Sequence, residues 1–244
     1  MEMFSNLPVW QKNHLEDCKK RGMFEGKRVL EVGGATPREI TQALGVKSWT
    51  CVDPAFSSDL REENYEQVSN SILNYDEGKK FDLIFSTNAF EHIMGLNIAF
   101  DNMYNLLEDG GLLSALYGPI YSSYKGHHVY VYYAQDLVLS FNDAKIQNWG
   151  HLLYGADTLI EILSKFYNEQ TLNTIREQLE DWDYLNKLFY DDYIEIINKS
   201  KFDVLELRDW HESRYPDPET QKLLEEKYNK KNFSTVSMKI ILRK

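Results

Sequence analysis

The sequence predicts an α/β fold with a doubly wound, mostly parallel sheet, on three observations. Short apolar runs of strand length recur at 27–32, 48–53, 81–86 and 112–116. Helix-patterned segments separate them, an alternation that calls for parallel strands with crossover helices. The first run stops at Gly33-Gly34, and the second ends on a carboxylate, Asp53, 22 residues after Glu31. That is the βαβ opening of a nucleoside-binding sheet.

The elements follow in order. A helix is expected within 8–21, ending near Gly22, then the strand 27–32 and its glycine turn. Pro37 suits the first turn of a helix that runs over 38–44 and closes at Gly45. The strand 48–53 is next. Residues 57–80 are polar, with a short strand around 66–72 before the turn-forming Asp76-Glu77-Gly78. The strand 81–86 leads into a helix over 88–107, which ends at Asp109-Gly110-Gly111, and the strand 112–116 stops at Gly118-Pro119.

Beyond residue 118 the pattern changes. A loop rich in Tyr, Ser and His is followed by expected helices near 134–140, 156–167 and 169–181. Insertions of this length between strands are usually functional. A helix at 183–199, a strand at 202–207, a polar helix at 217–229 and a last strand at 234–242 complete the chain. The expected organisation is one domain over 1–244, with a core of 27–117 and 183–244 and a cap of about 118–182.

Composition narrows the partners. Lys and Arg number 27 against 38 Asp and Glu, a formal charge of −11 that repels nucleic-acid backbones and anionic membranes. The nearest basic group, Lys227, Lys230 and Lys231, shares its helix with Glu225 and Glu226. No apolar run approaches the ~20 residues that span a bilayer. Cys18 and Cys51 suit free thiols. The expectation is a cytoplasmic protein without nucleic-acid or membrane partners, with a homodimer as the allowed assembly.

A dinucleotide site would need G-x-G-x-x-G, and Gly33-Gly34-Ala35-Thr36-Pro37-Arg38 misses two of those spacings. The chain instead resembles the class I methyltransferases that use S-adenosylmethionine. The resemblance lies in Val29 to Gly34 with its acid at Glu31, in Val52-Asp53, and in 81–86 leading into Asn88-Ala89-Phe90-Glu91-His92-Ile93, with Leu106-Leu107 and Gly110-Gly111-Leu112 following. It covers about 27–118, and 202–242 fits the family's final strands. It implies a Rossmann-like, seven-stranded, mostly parallel sheet with helices on both faces, the last strand antiparallel, and a helical cap.

The resemblance also implies site residues. Glu31, Gly33 and Gly34 would lie along the methionine and ribose portion of the cofactor, and Asp53 would bind the ribose hydroxyls. Ser71 and Ile72 would sit near the adenine, Ser86 and Thr87 along the floor, and His92 on the wall. Ala35 and Pro37 depart from the family, which usually carries further glycines there.

Methyl transfer to oxygen needs a base, and histidine has a suitable pKa. Candidates cluster in the segment from Gly118 to His128: His127 or His128 as base, with Tyr121 beside them, and His151 further on. No Asp or Cys accompanies these histidines at a recognised ligand spacing, so no metal is expected. The Gly126-His127-His128 segment and Trp149-Gly150-His151-Leu152-Leu153 look similar to methyltransferases of bacterial surface-polysaccharide (capsule) biosynthesis, which implies a sugar or phosphate-type acceptor. Two alternatives are a methyltransferase fold without chemistry that serves as a partner-binding subunit, and a protein methyltransferase.

Overall fold

The computed structural model describes residues 4, 6–133, 136–142, 145–180, 183 and 185–244. The chain divides into two compact units, one of Met1–Tyr117, Ile196–Arg208 and Lys239–Lys244, the other of Gly118–Glu195 and Asp209–Met238. The second unit therefore takes in 183–195 and 209–238, beyond the expected cap of 118–182.

Helix α1 (Val9–Lys20) precedes β1 (Arg28–Val32), α2 (Arg38–Ala43) and β2 (Ser48–Val52). Pro8 and Pro37 sit at the N-caps of the two helices, where a missing N–H costs nothing. A hairpin of β3 (Leu60–Glu62) and β4 (Tyr65–Val68) follows, then β5 (Phe81–Thr87). Helix α3 (Leu96–Leu106) runs directly into β6 (Leu107–Tyr117).

Among the described residues the sheet has eight strands, one more than the expected seven, because the polar stretch 57–80 contributes β3 antiparallel to β4, the strand expected around 66–72. With β9 (Asp203–Trp210) and β10 (Ser237–Arg243), the order is β3-β4-β2-β1-β5-β6-β10-β9. The pairs β4/β2, β2/β1, β1/β5 and β5/β6 are parallel. At β6/β10, the Gly110 N–H donates to Lys244 O while the Lys244 N–H donates to Gly111 O, with Gly110 at φ +78°. That exchange belongs to an antiparallel pair with a G1 bulge.

The core of the first unit packs Leu15 and Cys18 of α1 against Phe24, Val29, Trp49, Leu83, Phe85 and Ile241. Phe24, Trp49 and Phe85 meet with ring centroids 5.8–5.9 Å apart. These aromatic contacts add to the burial that holds α1 on the sheet.

The single helix expected over 88–107 is not formed. Asn88 (φ +52°) and Gly95 (φ +75°) are left-handed, a conformation an α-helix cannot contain, so Phe90–His92 forms an isolated 3₁₀ turn and α3 begins at Leu96.

In the second unit the helix expected at 134–140 is replaced by strands. β7 (Val131–Tyr133) pairs antiparallel with β8 (Asp136–Leu139), and residues 134–135 lie outside the described residues. The Val and Tyr side chains favour a pleated surface, and the pairing satisfies the backbone groups of a short segment that a helix could not bury well. Helices α4 (Gly150–Leu153), α5 (Ala156–Leu163) and α6 (Glu169–Glu180) follow. The helix expected from 183 starts only at α7 (Tyr190–Lys199): Lys187 is left-handed at φ +54°, and Asp192 Oδ2 accepts the Phe189 N–H at 2.9 Å to open the helix. Helix α8 (Pro218–Tyr228) has Asp217 as its N-cap, accepting from the backbone of Glu219 and Thr220.

Among the described residues, two buried clusters support this unit. One gathers Val129, Val131, Leu139, Leu159, Leu163 and Ile175; the other gathers Tyr124, Trp149, Leu152, Phe189, Leu224 and Phe233. The indole of Trp149 also donates to Phe233 O at 2.8 Å. Among the described residues, no helix is long and apolar enough to cross a membrane.

Candidate functional site

In the first unit, strand β1 lies between β2 on one side and β5 on the other, the point where chain order reverses and where open α/β sheets bind ligands beyond the carboxyl ends of their strands. A cavity of about 480 Å³ lies there. Its walls are Val32 and Gly33 from the end of β1, Val52, Asp53 and Pro54 from the end of β2, Ser71–Leu73, and Asn88, Ala89 and His92–Met94 after β5. The volume falls in the range of small-molecule sites. Asp53 is the one carboxylate among these lining residues, set in a wall otherwise apolar or neutral.

Of the expected cofactor residues, the structure brings Gly33, Asp53, Ser71, Ile72 and His92 together around this cavity. Glu31, Gly34, Ser86 and Thr87 are not among its lining residues. Asn88 and Ala89, part of the stretch quoted for the family resemblance, were not expected as site residues; the left-handed Asn88 is the feature that turns this segment into the wall.

The residues behind the wall fix its shape. Glu31 is 1 % exposed, and its carboxylate accepts from the Thr36 N–H (2.9 Å), Thr36 Oγ1 (2.8 Å), Trp49 Nε1 (2.8 Å) and Cys51 Sγ (3.2 Å). Burial pushes its pKa up while those four donors pull it back. Tyr65 Oη donates to Thr36 O at 3.0 Å. Ser86 Oγ donates to Val32 O at 2.8 Å, tying β5 to β1 below the cavity. Gly33 has φ +69°, and a Cβ there would lie 2.3 Å from Ala89 Cβ. The turn after β1 and the segment after β5 thus pack so closely that only glycine fits.

Thr87 Oγ1 lies 2.9 Å from His14 Nδ1, and the other ring nitrogen of His14 lies 2.9 Å from Ser114 Oγ. The His14 ring stacks on Phe85 at 4.5 Å. Burial first, with Lys239 nearby, pulls its pKa down to about 3, so the ring is neutral.

The second unit holds the histidine cluster. A cavity of about 50 Å³ is lined by Tyr121, His127, His151, Gln178, Lys187 and neighbouring apolar residues. His151 Nε2 donates to Tyr121 O at 2.9 Å, which leaves Nδ1 as a bare lone pair, buried and without a hydrogen-bond partner. Burial lowers its pKa to about 4. His127 Nδ1 accepts the Val129 N–H at 3.2 Å, so the proton of its neutral ring sits on Nε2. Its pKa is driven well below the ordinary value, by burial first and then by the neighbouring His151 and His128. The two rings meet edge to face with centroids 5.6 Å apart.

His128 is buried away from this cavity, left-handed at φ +48°, and its Nε2 donates to Pro119 O. Tyr121 packs against His151 and Phe189, at 5.1 and 5.8 Å, and burial raises its pKa to about 12. Among the described residues no group of three or more His, Cys, Asp or Glu side chains is arranged to hold a metal ion.

The sequence model of the family described as "Methyltransferase domain" matches residues 12–180. Three solved structures share the fold. An S-adenosylmethionine dependent methyltransferase from Mesorhizobium loti is 9 % identical with a TM-score of 0.55, the match covering 95 % of this chain and 98 % of that one. A candidate S-adenosylmethionine dependent methyltransferase from Listeria monocytogenes is 12 % identical with a TM-score of 0.53, over 96 % and 99 % of the two chains. A candidate sarcosine dimethylglycine methyltransferase from Galdieria sulphuraria is 12 % identical with a TM-score of 0.51, over 96 % and 85 %. At such identities the likeness is one of fold. No curated protein matches the sequence.

Proposed function

The chain belongs to the methyltransferase domain family, and on that premise we propose that it methylates a hydroxyl of a small-molecule acceptor with S-adenosylmethionine as donor. The observation that carries the reading is the cavity at the switch point, where the Gly33 backbone, the Asp53 carboxylate and an apolar wall stand together. When bound, the cofactor supplies an electrophilic methyl group on a sulfonium. The residues fit it: Asp53 would accept from the ribose hydroxyls, Ile72 and its neighbours would cover the adenine, His92 would close the wall, and no Lys or Arg lines the cavity to oppose a cationic sulfur.

Transfer to a hydroxyl releases a proton. The hydrogen bonding favours His151 as its receiver, because Nε2 is oriented by the Tyr121 carbonyl and Nδ1 keeps an open lone pair. A buried acceptor left without a partner costs about 1–3 kcal/mol, a penalty that a bound O–H donor removes. His127, with its proton on Nε2, serves as a neutral donor to the acceptor group. The resemblance of the His127-His128 and Trp149-Gly150-His151 segments supports a sugar or phosphate-type modifying group as the acceptor class.

Calorimetric titration with S-adenosylhomocysteine tests the donor site. Wild type binds, and Asp53→Ala weakens binding at least about tenfold; no binding by wild type overturns the reading. His151→Asn lowers turnover of a hydroxyl acceptor while leaving S-adenosylhomocysteine affinity intact, and unchanged turnover removes His151 as base.

A further inference from the structure

Helix α1 touches two of the segments that shape the cofactor cavity, the turn after β1 and the end of β5, through side chains three residues apart on one helical face. Gln11 Nε2 donates to Thr36 Oγ1 at 3.3 Å, and that hydroxyl donates onward to Glu31 Oε1 at 2.8 Å. One turn later, His14 bridges Thr87 Oγ1 and Ser114 Oγ, each at 2.9 Å. Thr36 closes the turn that carries Gly33. Thr87 immediately precedes Asn88 and Ala89, and Ala89 is the residue on which Gly33 abuts.

We infer that α1 is a working part of the cofactor site, with Gln11 and His14 as positioning residues that hold the Gly33 turn and the Asn88–Ala89 wall at the separation the donor requires. This rests on the assignment of the cavity to S-adenosylmethionine. Neither side chain lines the cavity, so each acts through a threonine. The apolar side of the helix, Leu15 and Cys18, anchors it in the core independently, and the polar pair sets where the loops stand. Thr36, His14 and Ser114 are all buried, at 0 %, 2 % and 0 % exposure, so none of these bonds is readily replaced by water.

Thermodynamic reciprocity makes the idea testable beyond stability. If docked α1 favours the binding-competent loops, ligand must favour docked α1 by the same factor. The experiment compares wild type, Gln11→Leu, His14→Phe and Asp53→Ala in S-adenosylhomocysteine titrations at 25 °C, with amide exchange of α1 measured with and without ligand. Losing these bonds raises Kd about five- to tenfold in each α1 variant, and in wild type S-adenosylhomocysteine slows exchange in α1. Gln11 is partly exposed, so Gln11→Leu folds even where His14→Phe does not. A lowered Tm with Kd within twofold of wild type in Gln11→Leu, or α1 exchange indifferent to ligand, overturns the inference. Failure of the cofactor assignment reads differently: wild type does not bind, or Asp53→Ala binds as wild type does.

Discussion

Acidification from pH 7.5 to 5.0 should remove several kcal/mol of the protein's stability, and the neutral buried histidines His14, His127 and His151 set the direction. His14 is held at about 3, His151 at about 4, and His127 well below its ordinary value, in each case chiefly by burial. Unfolded, each returns to about 6.5. Below that pH the unfolded chain binds protons the folded chain refuses, so stability falls as pH drops from about 6.5 toward the folded values and is fully present above 6.5. At pH 5.0 His14 and His151 each contribute about 2 kcal/mol of loss, about 4 kcal/mol together, and His127 adds in the same direction, against the 5–15 kcal/mol typical of a whole domain. Carboxylates with lowered pKa, such as Glu77 at about 2 and Asp82, lose their contribution only below about pH 4.5 and stay outside this window. Glu31, pushed up by burial, acts in the opposite direction and offsets part of the loss. Urea unfolding followed by tryptophan fluorescence at the two pH values measures the difference. His14→Phe should shrink it by about 2 kcal/mol. Equal stability at pH 7.5 and 5.0, within about 1 kcal/mol, would refute the claim that these rings are neutral and buried.

Gly33→Ala should abolish S-adenosylhomocysteine binding in calorimetry, since the added Cβ would sit 2.3 Å from Ala89 Cβ at a residue with φ +69°. Gly118→Ala should lower Tm by several degrees, about 2 kcal/mol or more, because its Cβ would lie 2.6 Å from Val236 O at φ +144°. Arg28→Met removes a two-pronged bond to Asp82, with contacts of 3.0 and 2.9 Å, and a contact to Glu108. With its side chain 34 % exposed, the loss should be no more than about 1 kcal/mol in thermal unfolding and smaller at high salt.

What the sequence disclosed follows from which forces act locally. The strands around 27–32, 48–53, 81–86 and 112–116 are legible because a buried parallel strand must be a continuous apolar run, and the turn after β1 because left-handed backbone calls for glycine. Asp53 is legible by its place at the end of β2. The break in 88–107 is also written in the chain, at Gly95, although the helix expected there runs through it. The pairing of β7 with β8 was not readable: Asp136 to Leu139 has no period that separates strand from helix over four residues, and only pairing with Val131–Tyr133 decides it. The roles of the histidines were the least readable, since they depend on which carbonyl or N–H each ring meets, and those partners are distant or conformational: Tyr121 O for His151, Pro119 O for His128.

The departure at Ala35 and Pro37 has a structural answer in the same terms. A glycine-rich loop stays close to a ligand because it has no side chains to intrude, yet its flexibility must be restrained by something. Here the restraint comes from Glu31, whose four donors draw Thr36, Trp49 and Cys51 around one buried carboxylate, and from Tyr65, which holds the Thr36 carbonyl. Pro37 then fixes the entry to α2 with φ −54°. The loop thus needs glycine only at Gly33, where Ala89 presses on it, and at Gly34, whose φ of +152° and 3.0 Å approach to Glu31 Oε1 exclude a side chain. Glu31, which the family resemblance places beside the ligand, is buried behind the wall and accepts four hydrogen bonds from Thr36, Trp49 and Cys51. The same buried carboxylate receives, through Thr36, the chain of hydrogen bonds that starts at Gln11 on α1. Rigidity of the cofactor turn and docking of the first helix are therefore one network.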